Sequence, residues 1–149
     1  MKNYFLLVIA AAFCFSCMKK DTPPPNSNEF HAQLTFSEGS SSVINETGYS
    51  THMGCSNGTT LLQGNNDSVS LGISINIGHC ITTTGTYTNE FECQVTNNSL
   101  LYIKDPAKPG SISFTTGEKG FMEGSFHIVC YNGNDSVLVS GTFEGKLQY

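Results

Sequence analysis

The chain has no tryptophan and no arginine, and charged residues fill only 13% of its 149 positions. Helical bundles and coiled coils draw about half their residues from Ala, Glu, Lys, Leu and Arg, so this composition excludes them. Seven lysines stand against twelve acids, a formal charge of −5; residues 29–149 alone hold four lysines and eleven acids, or −7. A nucleic-acid-binding surface needs the opposite sign, so nucleic acid is not an expected partner. The longest apolar run is too short to cross a bilayer as a helix. Phosphate-cradling, dinucleotide-binding and Gly-x-Ser-x-Gly signatures are missing, and no cofactor is expected.

What is present begins with an address. Lys2 precedes an apolar stretch over residues 4–15 (YFLLVIAAAFCF), with the length and position of a secretory signal. The string Cys14-Phe15-Ser16-Cys17 resembles a bacterial lipobox. That resemblance implies cleavage before Cys17 and acylation of Cys17. An ordinary signal peptide is the alternative, because Cys14 and Phe15 stand where the pattern has Leu and a small residue. Residues 18–28 (MKKDTPPPNSN) form a polar, Pro-rich tether that could not enter a core. The expected organisation is therefore a signal over 1–16, a lipidated Cys17 with its tether over 17–28, and one domain over 29–149. Cysteine parity agrees: without Cys14 and a lipidated Cys17, an even four remain for an oxidising compartment. The expected location is the cell envelope, anchored by lipid to the outer membrane on its periplasmic or surface face, and Lys19-Lys20-Asp21 partly resembles a surface-export tag.

From Glu29 onward the hydrophobic period is two. Val69, Leu71, Ile73, Ile75 and Ile77 fall on one face of a strand over 68–77, and Ser68, Ser70, Gly72, Ser74 and Asn76 on the other. A long C-terminal run from Val137 alternates in the same way. Shorter runs cover 30–36, 48–55, 59–62, 91–96, 100–104, 111–116 and 121–131. Turn chemistry separates them, including Asn57-Gly58, the segment 64–67, Asn97-Asn98, 106–110, 117–120 and 132–135. No window of twelve residues carries a helical stripe. The fold class expected is all-β, an antiparallel meander of about nine strands closed as a sandwich or barrel.

Four strings of glycine and aromatic residues, Gly85-Thr86-Tyr87-Thr88, Gly110-Ser111-Ile112-Ser113-Phe114, Met122-Glu123-Gly124-Ser125-Phe126 and Val139-Ser140-Gly141-Thr142-Phe143, together with the signal, resemble small lipoproteins of the Bacteroidetes whose bodies are meandering β-domains. The resemblance spans the signal and about the last 65 residues; it implies fold and address and brings no activity with it. Asp67-Ser68-Val69 and Asp135-Ser136-Val137 also resemble sites at which such organisms O-glycosylate exported proteins, which implies modification at Ser68 and Ser136. Convergent turn chemistry explains the same echo.

The strongest chemical constellation is Cys55, Cys80, Cys93 and Cys130. Three pairings are open; 55–80 with 93–130 is the one favoured, since Cys93 and Cys130 both lie on apolar faces. A zinc set of His52, Cys55, His79, Cys80 and Cys93 is the rival, but exported thiolates oxidise and no Cys-x-x-Cys is present, so no metal is expected. Carboxylates at Glu90, Glu92, Glu118, Glu123 and Glu144 show no pairing by spacing. Tyr102, on the face opposite Leu101 and Ile103, Tyr131, opposite the Cys130 face, and Tyr87 are a candidate platform for a glycan or an envelope protein. The expected function is thus binding or structural display without catalysis, partnered to the membrane through lipid and to a glycan or envelope protein. The alternatives are a small hydrolase of glycan or peptide and a small-ligand carrier barrel. An exposed apolar or aromatic patch would point to binding, a polar cleft with convergent acids to hydrolysis, and an apolar interior cavity to a carrier.

Overall fold

A computed structural model describes residues 28–47, 52–116, 121–133 and 135–146. The signal, Cys17 and the tether up to residue 27 lie outside the described residues, as does the turn expected over 117–120. Among the described residues there are eleven strands: β1 Glu29–Phe36, β2 Ser41–Thr47, β3 His52–Ser56, β4 Thr59–Asn66, β5 Leu71–Ile77, β6 Gly85–Tyr87, β7 Phe91–Asn97, β8 Leu100–Lys104, β9 Ser111–Thr116, β10 Phe121–Tyr131 and β11 Ser136–Lys146. They form one antiparallel sheet in the order β2-β1-β11-β10-β8-β7-β5-β4-β3. β9 shares the β8 side of β10 and carries β6 on its far edge, so the sheet branches there. The sheet curls into a half-barrel. The first strand pairs with the last along its whole length, and β2 comes round toward β4, where Asn66 Nδ2 donates to the Val43 carbonyl at 3.0 Å.

The all-β meander expected from the alternating pattern is the observed fold, with two strands more than the count of nine. β2 and β6 are the two strands without an alternating signal, because SSVINET is mostly polar and β6 is three residues long. β4 continues through the expected turn to Asn66, and β5 starts only at Leu71. Between them Asp67–Val69 makes a single 3-10 turn closed by Ser70 in the left-handed region (φ 48°). That reversal removes Val69 from the face of Leu71 and leaves it 45% exposed.

The core is built from rings laid on glycines. A Cβ on Gly64 would stand 2.2 Å from the Phe30 ring, one on Gly124 2.3 Å from Phe143, and one on Gly141 2.6 Å from Phe126. Each bare backbone patch receives a phenylalanine, which covers strand hydrogen bonds and lets the sheet curl. The rings then pass from one to the next: Phe30 to Phe126 at 5.4 Å, Phe126 to Phe143 at 6.4 Å, Phe143 to Phe114 at 5.1 Å and Phe114 to Tyr87 at 5.8 Å. These separations suit stacked and edge-on aromatic pairs. The Gly-aromatic strings in the sequence are therefore packing units.

Candidate functional site

Of the cysteines, Cys55 and Cys80 are joined by a disulfide, with Cα atoms 5.5 Å apart. Cys55 lies opposite Thr60 on β4. Thr60, 1% exposed, grips both neighbours of Cys80: its N–H donates to the His79 carbonyl and its hydroxyl accepts from the Ile81 N–H at 2.8 Å. With Cys55 and Cys80 bonded to each other, the zinc set is not assembled. The second bridge expected, Cys93–Cys130, is not present: both face the core as free thiols, hydrogen-bonded to one another. That hydrogen bond and burial push the Cys93 thiol well above its ordinary value, against a smaller opposing pull from Lys104.

The three tyrosines do not share a face. Tyr102 is buried at 2% exposure, edge-on to Phe36 at 5.8 Å, and its hydroxyl donates to Asp135 Oδ2 at 2.9 Å. Asp135 also accepts from the Ser37 hydroxyl and from the Ser136 N–H at 2.7 Å. Burial and this acceptor push the Tyr102 phenol up, and the Ser37 and Tyr102 hydroxyls hold the Asp135 carboxyl below its usual range. Tyr87 ends the interior ring chain, against Phe114 and His79. Tyr87 is half-buried against the core, and Tyr131, also half-buried, points outward from β10. The platform of Tyr87, Tyr102 and Tyr131 is thus not formed, because an aromatic with a hydroxyl partner inside gains more from burial than its aliphatic neighbours.

The same choice reverses β8. With Tyr102 inside, Leu101 (52% exposed) and Ile103 (44%) are turned outward, and Leu100 at the strand start is 52% exposed. Ile103 lies opposite Tyr131 on β10 and Gln94 on β7, Leu101 opposite Thr96. The result is an apolar stripe of Leu101, Ile103 and Tyr131 on the outer face, and the next residue, Lys104, is held 5.0 Å over the Phe91 ring.

Elsewhere on that outer face, register assembles a row no spacing rule could show. Glu29 lies opposite Glu144, and Glu144 opposite Glu123. The next row holds His31, Thr142, Ser125 and Ser113. These residues line an open groove of about 490 Å³. His31 Nδ1–H donates to Asn45 Oδ1 at 3.0 Å, and Nε2 stands 3.5 Å from Glu29 Oε2. Ser68 is exposed on the 3-10 turn, and Ser136 is half-buried at the start of β11. No family model, curated protein or solved structure matches the chain.

Proposed function

We propose that this is a lipid-anchored protein of the cell envelope that acts by binding a protein partner, and that the stripe of Leu101, Ile103 and Tyr131 is where the partner docks. The observation that carries the reading is the outward turn of Leu101 and Ile103 beside a half-buried tyrosine, on a strand that holds three of the five large hydrophobics exposed among the described residues. Contiguous exposed apolar surface costs solubility and marks interaction sites. Position supports it as well. Asn28, the first described residue, is fastened to the far end of β11, where its side chain accepts from the Lys146 N–H at 3.1 Å. The stripe adjoins the opposite end, next to Ser136, which pairs with Tyr131. β11 is eleven residues long, so at ~3.3 Å per residue roughly 33 Å separates the two. A chain tethered through Cys17 would enter at one end and offer the stripe at the other. Among the described residues no helix is long and apolar enough to cross a membrane, and lipid on Cys17 supplies the attachment in this reading.

The test has two arms on the full-length protein. Cys17→Ala should move it from the membrane to the soluble fraction; retention on the membrane would end the lipoprotein reading. Ile103→Asp should abolish recovery of a partner that the parent chain retains, with an unchanged unfolding temperature; equal recovery would end the docking reading. A second reading, hydrolysis of a glycan, draws on the opposed Glu123 and Glu144 in the acidic groove. It requires turnover that Glu144→Gln removes and Ile103→Asp leaves intact.

A further inference from the structure

The thiols of Cys93 and Cys130 meet where the sheet branches. β8 pairs with β7 as far as Gln94–Ile103 and with β10 only at Cys130–Lys104 and Tyr131–Ile103. Beyond Lys104 the chain leaves the sheet, and β7 and β10 draw together beneath it, bringing Cys93 (1% exposed) against Cys130 (0%). The two are not equivalent. Cys93 lines a surface cleft of about 350 Å³ with Phe91, Gln94, Ile103, Lys104 and Pro106, and Cys130, fully buried, is not among its lining residues. We propose that Cys93 and Cys130 are a covalent modification site, a dithiol that exchanges with an external disulfide RS–SR entering through this cleft and closes into a second bridge tying β7 to β10.

The reaction balances in two displacements. The Cys93 thiolate attacks one sulfur of RS–SR, forming the mixed disulfide Cys93–S–SR and expelling RS⁻, which takes up the proton Cys93 released. The Cys130 thiolate then attacks the Cys93 sulfur and forms the internal bond. The second RS⁻ departs with the Cys130 proton, so two thiols are oxidised and one external disulfide is reduced to two RSH. The Lys104 ammonium in the cleft favours the attacking thiolate, while burial and the partner thiol oppose it. Exchange in the folded protein is therefore slow at neutral pH and rises about tenfold per pH unit, following the thiolate fraction.

Full-length protein is incubated with oxidised glutathione, then denatured, alkylated and weighed intact. The expected product is lighter by two hydrogen atoms, takes up no alkyl group at Cys93 or Cys130, and yields one linked peptide containing both. Cys130→Ser should stop the reaction at the first displacement, with one glutathione on Cys93, and Cys93→Ser should carry none. Both thiols still alkylated in the parent protein, glutathione on Cys130 instead of Cys93, or linkage of either to Cys55 or Cys80 would each overturn the proposal. The parent measurement needs no substitution, so a variant that fails to fold does not shield it.

Discussion

Two residue clusters decide where the chain's side chains point. Asp135 draws three donors, the Ser37 and Tyr102 hydroxyls and the Ser136 N–H, and so ties the β1–β2 turn, β8 and β11 together. Its carboxyl is held below the ordinary 3.8, which makes the folded state prefer the ionised form. Stability from this source is complete above the ordinary value and disappears as pH falls through the lowered one. Asp135→Asn should therefore lower the denaturation midpoint at pH 7, and the gap to the parent should stay constant down to about pH 4 and narrow below it. A gap that widens in acid would contradict the assignment. Gly141 tests the other cluster. A Cβ there would stand 2.0 Å from the His31 carbonyl oxygen, backbone that cannot step aside. Gly141→Ala should cost about 1–3 kcal/mol or more in chemical denaturation, as overpacking does, and a neutral result would show that β1 and β11 lie farther apart than described.

At the scale of elements, the Cys55–Cys80 bridge fastens the edge strand β3 to the segment after β5, on the far side of β4. Replacing both cysteines with alanine should cost about 2–4 kcal/mol, read as a shifted urea midpoint; an unchanged midpoint would show that Thr60 alone holds that corner. Strands with one apolar face were legible from period alone: β1, β5, β7, β10 and β11 turn inward the residues their alternation selects. β2 was not, because Val43 and Ile44 are adjacent and the strand exposes one to bury the other. In β8 the alternation is the expected one and its inside and outside are reversed. A hydrophobicity ranking places Leu101 and Ile103 in the core, but the hydroxyl of Tyr102 has Asp135 waiting 33 residues away, and nothing local announces that partner. The same holds for the groove. Glu29, Glu123 and Glu144 become neighbours through strand register, which spacing along the chain does not contain.

On the scale of the whole molecule, the half-barrel separates its surfaces. The ring chain from Phe30 to Tyr87 occupies the interior, the acidic groove and the apolar stripe lie on the outside, and the described chain starts at the end away from the stripe. Side-by-side carboxylates and outward aliphatics each work against folding and solubility, and departures of this kind collect where a surface meets something else. The most direct test places a photo-cross-linking side chain at Ile103 in the full-length protein and, as control, at Gln33 on the outer face of β1, and illuminates cells that express each. The account predicts one discrete adduct with an envelope protein from position 103, absent from position 33 and lost when Leu101→Asp is added. Identical adducts from both positions, or none from position 103, would contradict it.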